Sequence, residues 1–145
     1  MRENVPYTEE DIKNHQAISA IIQNKLGQIL IFRHKKFDFW TIPIGKVKEG
    51  QTILEGLKEE LFEEVGIEVI DSVLLDTKTQ VYNRRGLNVA VTHNLFSIIS
   101  YTGEPFNKEA EKHSDMTWIY LKDIPSLEEN ISDSMRMLKK YFKIK

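Results

Sequence analysis

The sequence contains no cysteine and no long apolar run. The absence of cysteine excludes a disulfide framework, a thiolate metal site and catalysis by a cysteine nucleophile. No stretch is long and apolar enough to span a bilayer, and residues 1–15 lack the apolar core of a signal peptide. The net charge of −2 gives no overall attraction to nucleic acid or anionic membranes. We therefore expect a soluble cytoplasmic protein.

What the chain does contain fits one globular domain. Its 145 residues and 41% hydrophobic content are sufficient for a core of its own. Residues 1–14 are polar and are expected to form an N-terminal arm. No internal repeat, low-complexity tract or linker divides the remainder, so we expect residues 1–145 to form a single domain.

Apolar runs separated by turn residues predict a mixed order of strands and helices. The recurrence of apolar residues at helical spacing after Ile131 predicts a final helix. The predicted strands, by residue number, are 15–22, 28–32, 39–44, 69–78, 87–99 and 117–121, and the predicted turns are 23–27 and 82–86.

The segment that follows residue 51 has the features of a helix with defined ends. Thr52 and Glu55 have the spacing of a capping box, and Gly66 is placed as the glycine that ends a helix. Between these ends, four apolar side chains lie within roughly 80° of one another around the helix and predict its buried face. They are Leu54, Leu57, Leu61 and Val65.

Six glutamates crowd into residues 55–68, and Glu60, Glu63 and Glu64 share one stripe of this helix. Carboxylates three or four residues apart repel by roughly 0.2–0.5 kcal/mol per pair. One interpretation is an ordinary solvent-exposed acidic face. The other is a site for a hard divalent cation such as Mg²⁺ or Mn²⁺, which prefers oxygen ligands and usually brings phosphate substrates. The glycine-containing loop before the helix favours the second, because its carbonyl oxygens can complete a coordination shell.

The stretch GKVKEGQTILEGLKEELFEEVGI, which begins at Gly45, resembles the Nudix box of the Nudix hydrolase family. The preceding segment FWTIP and the later segment WIYL resemble the strands that flank the box in this family. The positions that match the box pattern are Gly45, Glu60, Leu61, Glu63, Glu64, Gly66 and Ile67.

Two positions depart from the box pattern. Gln51 stands where the box has its first glutamate, and Glu59 stands where it has arginine. That arginine is expected to pair with a box glutamate, so Glu59 should instead add repulsion and weaken preorganisation. Gln51 can hydrogen-bond but brings no charge. These departures leave open an alternative, a catalytically impaired Nudix domain that binds a nucleotide or a protein without cleaving it.

The resemblance implies an α/β fold, the Nudix-type α/β/α sandwich with a mixed β-sheet between helices. It also implies divalent-metal-dependent hydrolysis of a pyrophosphate linkage in a nucleotide or nucleoside-diphosphate derivative. Glu60 and Glu64 would then be catalytic, and Glu60, Glu63 and Glu64 would hold Mg²⁺ or Mn²⁺. This family often recruits an additional carboxylate from outside the box, for which Glu111 is the candidate and Glu109 its rival.

The implied partner is a nucleotide or a nucleoside-diphosphate-linked small molecule, with the 5′ end of RNA as a second candidate and no membrane. The candidate substrate-binding residues are Arg33 and Lys35 after a predicted strand, Phe39 as a ring that can stack on a base, and Arg84 at a predicted loop tip. Each has an ordinary alternative, as a surface charge or a core aromatic. Such domains occur as monomers or homodimers, and the sequence leaves this choice open.

Overall fold

The computed structural model describes residues 7–144, apart from the side chains of residues 125–129. The predicted arm is therefore described only from residue 7, and residues 1–6 of it lie outside the described part. The elements are two 3₁₀ helices (Glu10–Ile12 and Leu121–Asn130), the strands β1 (His15–Ile21), β2 (Ile29–His34), β3 (Phe39–Thr41), β4 (Ile44–Lys46), β5 (Glu68–Arg84), β6 (Leu87–Thr102) and β7 (His113–Ile119), and the helices α1 (Ile53–Val65) and α2 (Asp133–Tyr141).

The strands form two sheets. The first has the order β4-β1-β6-β5, and it is mixed because β1 runs parallel to β6 while the other pairs are antiparallel. The second has the order β3-β2-β7 and is antiparallel throughout. The predicted mixed sheet is confirmed, and the structure adds a second, smaller sheet.

The two helices cover opposite faces of the mixed sheet. Successive residues of a strand point to opposite faces, and Ile18 and Ala20 of β1 lie in the core cluster that contains the buried face of α1. Ile21 points the other way and lies in a second cluster with Met135 and Leu138 of α2. This alternation confirms the predicted α/β/α arrangement.

Helix α1 has the ends that the sequence predicts. The Thr52 hydroxyl accepts a hydrogen bond from the Glu55 backbone N–H at 3.1 Å, and the Glu55 carboxylate accepts one from the Thr52 backbone N–H at 2.8 Å. Gly66 ends the helix in the left-handed conformation with φ of 71°, a region that glycine enters without a Cβ clash.

The predicted buried face of α1 is wrong at one position. Leu54 is 45% exposed, because it lies in the first turn, ahead of Gly56, the first buried residue of the helix. At Gly56 the helix meets the preceding loop so closely that a Cβ would lie 2.9 Å from Val47 Cγ2. The other three predicted positions are fully buried: Leu57, Leu61 and Val65.

Strands β5 and β6 form a hairpin longer than the sequence predicts. They contain 17 and 16 residues and are joined by Arg85 and Gly86, which have φ of 54° and 76°. A two-residue turn with both φ values positive matches the twist of the paired strands. The strands therefore continue through most of the predicted turn, and Arg84 becomes the last residue of β5.

The C-terminal elements are displaced from the predicted boundaries. Strand β7 begins four residues earlier than predicted, because its pairing with β2 extends as far as His34 opposite His113. Helix α2 begins after Ser132, whose hydroxyl accepts a hydrogen bond from the Met135 backbone N–H at 3.2 Å. No helix of the described residues is both long and apolar enough to cross a membrane.

We expect Thr52→Ala to destabilise the protein by about 1 kcal/mol, because it removes the side-chain acceptor at the start of α1. Thr52→Ser keeps a hydroxyl in the same place and should unfold close to the wild type. Urea denaturation followed by circular dichroism measures both. Identical midpoints for the alanine variant and the wild type would show that this cap does not stabilise the helix.

Candidate active site

The three glutamates of the acidic stripe lie along the edge of α1, between its buried face and solvent. Glu64 is only 5% exposed, whereas Glu60 and Glu63 are partly exposed. One carboxylate oxygen of Glu64, Oε1, is buried and has no hydrogen-bond partner among the described residues. A buried polar atom left in this state costs roughly 1–3 kcal/mol. Binding of a proton or a ligand at this oxygen would remove that cost.

The Glu60 carboxylate lies against the backbone of β4. A Cβ at Gly45 would come within 2.4 Å of Glu60 Cγ and Cδ and within 2.5 Å of Oε2, far inside van der Waals contact. Any other residue at position 45 would therefore displace the carboxylate. Strand β4 is fixed here by its pairing with β1, where Gly45 lies opposite Ile18. The glycine thus provides the space that Glu60 occupies.

Burial and mutual repulsion raise the pKa values of two of these glutamates. Burial first, and then the charges of Glu63 and Glu109, raise the pKa of Glu60 to about 7. Burial also raises the pKa of Glu64 well above its ordinary value, and the charges of Glu60 and Glu109 add to the effect. Lys112 opposes both shifts without cancelling them. The folded protein therefore resists ionising both carboxylates unless a cation is supplied.

Of the two candidate carboxylates outside the box, Glu109 is the one whose charge helps to raise the pKa values of Glu60 and Glu64. The Glu109 backbone carbonyl accepts hydrogen bonds from the backbone N–H groups of Lys112 (2.8 Å) and His113 (3.1 Å) just before β7. Its carboxylate lies 3.4 Å from the Lys112 ammonium. Glu111 is exposed on the same turn, and its charge acts on the pKa of His113.

The oxygen donors of this site fit a hard divalent cation. Glu60, Glu63, Glu64 and Glu109 offer carboxylate oxygens, the ligands that Mg²⁺ and Mn²⁺ prefer, and Glu64 Oε1 is an acceptor without a partner among the described residues. Within residues 7–144, no three acidic or histidine side chains already converge so that they could hold an ion. The carboxylates are close enough to raise one another's pKa values but stand apart, as like charges do.

The two departures from the box pattern contact one another. Gln51 Nε2 donates a hydrogen bond to the Glu59 carboxylate at 3.0 Å, and the Lys48 ammonium forms an ion pair with the same carboxylate. Gln51 Oε1 accepts a hydrogen bond from the Lys48 backbone N–H at 2.9 Å. Lys48 therefore balances the charge of Glu59, whose effect on the pKa of Glu60 is smaller than those of the neighbouring carboxylates. The loop before α1 is therefore held to the helix through Glu59.

A cleft of about 180 Å³ opens next to β4. It brings together two of the predicted substrate-binding residues, Phe39 and Arg84. Ile44 also lines the cleft and directly precedes Gly45, so β4 adjoins the cleft on one face and Glu60 on the other. Aromatic walls with a few polar groups are typical of sites for small ligands. Further lining residues are Tyr7, Phe37, Tyr82 and His93.

The structure does not bring the other two predicted substrate-binding residues to this cleft. Arg33 donates hydrogen bonds to the Asp38 carboxylate from Nε (3.0 Å) and Nη2 (2.7 Å), and its guanidinium lies 5.8 Å from the centre of the Trp40 ring. Lys35 is exposed in the turn between β2 and β3, where its backbone N–H donates to the Lys112 carbonyl at 2.8 Å.

A polar network around the Tyr82 hydroxyl borders the cleft and was not predicted from the sequence. The Tyr82 hydroxyl lies 2.5 Å from Asp133 Oδ2, 2.7 Å from Gln80 Oε1 and 3.0 Å from His93 Nε2. Burial lowers the pKa of His93, which favours the neutral form of its ring. Tyr82 and Asp133 are 51 positions apart in the chain, so no local pattern could have signalled this contact.

Residues 13–141 match the family model of the NUDIX domain. An 8-oxo-dGTP diphosphatase of Buchnera aphidicola subsp. Schizaphis graminum is 31% identical over 109 residues, which are 74% of this chain and 77% of that protein. An RNA pyrophosphohydrolase of Baumannia cicadellinicola is 37% identical over 60 residues, which are 41% of this chain and 38% of that protein.

The solved structure of a MutT NUDIX hydrolase from Burkholderia pseudomallei has a TM-score of 0.74 at 23% identity, and the match covers 89% of this chain and 98% of that one. At this identity the structural likeness shows the fold alone. The family match spans most of the described residues, includes the glutamates of α1, and includes every lining residue of the cleft except Tyr7. The chain belongs to the Nudix hydrolase family.

Proposed function

We propose that the protein hydrolyses a pyrophosphate linkage in a nucleotide, with a nucleoside triphosphate as the first candidate substrate and a divalent cation as cofactor. The observation that carries this proposal is Glu64, a nearly inaccessible carboxylate one turn from Glu60, with an oxygen that has no partner in the part of the chain that the structure describes. Burying these two groups together is unfavourable for the protein alone and becomes favourable with a cation. The 8-oxo-dGTP diphosphatase relative supports a nucleoside triphosphate.

We assign Glu60, Glu63 and Glu64 as the residues that hold the cation, with Glu109 rather than Glu111 as the carboxylate from outside the box. Their hard oxygen donors suit Mg²⁺ or Mn²⁺. When bound, such a cation neutralises phosphate charge and makes water a stronger acid. Gly45 serves this site by leaving room for the Glu60 carboxylate.

The chain also supplies the acceptor for the proton of the attacking water. The water oxygen forms a bond to phosphorus while the bond from phosphorus to the bridging oxygen breaks, and the water proton must leave. Glu60 and Glu64 are the two candidate acceptors. Glu64 is almost inaccessible, whereas Glu60 is partly exposed. We therefore assign proton removal to Glu60.

The cleft beside β4 supplies the nucleotide site. The rings of Phe37 and Phe39 are stacked with their centres 5.4 Å apart, and they form an apolar wall suited to a base. Arg84 places a guanidinium in the same lining, where it can pair with an anionic or carbonyl oxygen. Arg33 and Lys35 remain predictions that this arrangement does not use.

The 5′ end of RNA is the second substrate candidate. A groove of about 400 Å³ shares His93 and Asp133 with the cleft and continues away from it. A strand that leaves the cleft along this groove would meet positive charges suited to its phosphates. In the described part of the chain these cations form no ion pairs. They are Lys78, Arg136 and Lys140.

The alternative of a catalytically impaired domain that binds a nucleotide or a protein without cleavage was based on Gln51 and Glu59. The ion pair of Glu59 with Lys48 and its hydrogen bond from Gln51 support hydrolysis over this alternative. The negative charge of Glu59, which was expected to disturb the site, is balanced by Lys48. The glutamates proposed to hold the cation are all present.

We expect the purified protein to release product from at least one member of a panel comprising 8-oxo-dGTP, dGTP, ATP, ADP-ribose and 5′-triphosphate RNA, and only when Mg²⁺ or Mn²⁺ is present. Glu64→Gln should lower kcat by about 100-fold or more, because the reaction loses a charged group at its centre. Chromatographic assay of products measures both effects. Ligand binding without turnover would favour the impaired domain, and full activity of Glu64→Gln would refute the assigned site.

The two carboxylates outside the box form a matched pair of variants. Glu109→Gln should weaken the apparent affinity for Mn²⁺ roughly 10–100-fold, the range seen when a group supporting a metal site is lost. Glu111→Gln should leave it unchanged, because Glu111 is exposed. The Mn²⁺ concentration that gives half-maximal hydrolysis measures the effect. The opposite ranking of the two variants would restore Glu111 as the ligand.

Without a divalent cation, Glu60 should make stability fall as pH rises. Its pKa moves from 4.5 to about 7 on folding, so between these values the folded state keeps a proton that the unfolded chain has lost. Buried histidines with lowered pKa values, such as His34 at about 4, act in the opposite direction below pH 6.5. The relevant quantity is therefore the difference between the wild type and Glu60→Gln.

We expect Glu60→Gln to gain stability relative to the wild type as pH rises from 5 to 7.5, and saturating Mg²⁺ to remove this difference. Urea denaturation in the presence of a chelator, repeated across this range, gives the two curves. Parallel curves would mean that Glu60 ionises at its ordinary pKa and is not the strained carboxylate described above.

A further inference from the structure

Residues 7–12 lie before the segment that matches the family model, yet they make specific contacts with the candidate active site. They form a short arm that contains the 3₁₀ helix Glu10–Ile12 and precedes β1. Tyr7 lines the cleft beside β4. The arm is therefore a feature of this chain, outside the family match, at the place where the proposed nucleotide binds.

Asp11 anchors the arm to the strand that carries Gly45. Its carboxylate lies 2.5 Å from the ammonium of Lys46, the residue after Gly45, and 3.7 Å from that of Lys36. Asp11 is only 9% exposed. Lys46 and the Thr8 backbone N–H, which donates to the carboxylate at 2.8 Å, hold the pKa of Asp11 well below its usual range. The anchor therefore persists at neutral pH.

The arm also fixes Arg84, one of the predicted substrate-binding residues. The Arg84 guanidinium lies 5.0 Å from the centres of both the Tyr7 and the Tyr82 rings, and Nη1 donates a hydrogen bond to the Asp11 carbonyl at 2.7 Å. Its Nε is buried and has no acceptor among the described residues. The guanidinium that lines the cleft is therefore held in place by the arm.

The size of the cleft indicates which part of a nucleotide it takes. Ligand sites for whole drug-sized molecules usually measure roughly 300–1,000 Å³, and this cleft measures about 180 Å³. Its lining has aromatic rings from three parts of the chain, at Tyr7, Phe37 and Tyr82. A flat heterocycle fits such a lining, and the rest of a nucleotide would have to lie outside the cleft.

We propose that the arm is a wall of the substrate cleft and determines specificity, with Tyr7 stacking on the nucleobase and Arg84, held by the arm, presenting its guanidinium to the nucleotide. This inference rests on the proposed function. Substrate recognition thus depends on residues that precede the family domain. An arm that merely covers the cleft, and must leave before substrate enters, would give the opposite result in the experiment below.

Direct binding tests this proposal without requiring hydrolysis. Isothermal titration with GMP and AMP, and with ribose 5-phosphate as a ligand that lacks a base, compares the wild type with Tyr7→Ala and Tyr7→Phe. Stacking of a base on an aromatic ring changes affinity by roughly 5–150-fold. Tyr7→Ala should weaken the better nucleotide by a factor in this range and leave ribose 5-phosphate unchanged, while Tyr7→Phe stays close to the wild type.

Two further variants separate this role from a loss of folding. Tyr141→Ala removes an exposed tyrosine at the end of α2, away from the cleft lining, and should bind as the wild type does. Asp11→Asn loosens the anchor and should weaken nucleotide binding in the same direction as Tyr7→Ala. Circular dichroism of each variant confirms that the fold is retained.

Three outcomes would overturn the proposal: unchanged nucleotide affinity in Tyr7→Ala, tighter binding in Tyr7→Ala, or no binding of either nucleotide by the wild type. Tighter binding would identify the arm as an inhibitory cover. Nucleotide binding that depends on Tyr7, in a protein that hydrolyses nothing in the panel, would refute the proposed hydrolysis and leave the role of the arm intact. The failures of the two proposals are therefore distinguishable.

Discussion

The site depends on the burial of like charges. Glu60 and Glu64 lie one turn apart on the edge of α1, one against the backbone of Gly45 and the other with a buried oxygen that has no partner among the described residues. Their raised pKa values show that the protein alone does not balance these charges. The surrounding structure holds them there nonetheless: the apolar face of α1 is buried in the core, and the capping box fixes where the helix begins. Under the proposed function, a divalent cation would convert this unfavourable arrangement into a functional one.

Features that depend only on residues close together in the sequence could be predicted. Helix α1, its capping box and Gly66 follow from spacing within a few residues, as does the stripe of glutamates that borders the buried face. Leu54 was misplaced because the helical wheel shows the direction of a side chain but not where the helix first meets the core. The long β5–β6 hairpin was cut short because polar residues near its tip resembled a loop, while a two-residue turn with both φ values positive allowed the strands to continue.

Features that join distant parts of the chain could not be predicted in this way. The choice between Glu109 and Glu111 depends on the turn before β7, and the cleft combines the arm, the β2–β3 hairpin, the tip of β5 and the start of α2. Arg33 was predicted to meet substrate but pairs with Asp38 within its own hairpin. The departures Gln51 and Glu59 looked damaging one at a time. In the structure they form one hydrogen-bonded group with Lys48, so their effects have to be judged together.

If Glu60 and Glu64, whose pKa values are raised, bind a divalent cation, binding should release protons at pH 7. Calorimetric titration with Mn²⁺ at pH 7, in buffers with different ionisation enthalpies, counts these protons. We expect one Mn²⁺ site with measurable proton release, and weaker binding with less release in Glu64→Gln. Binding without proton release, or binding that is unaffected by Glu64→Gln, would contradict this expectation.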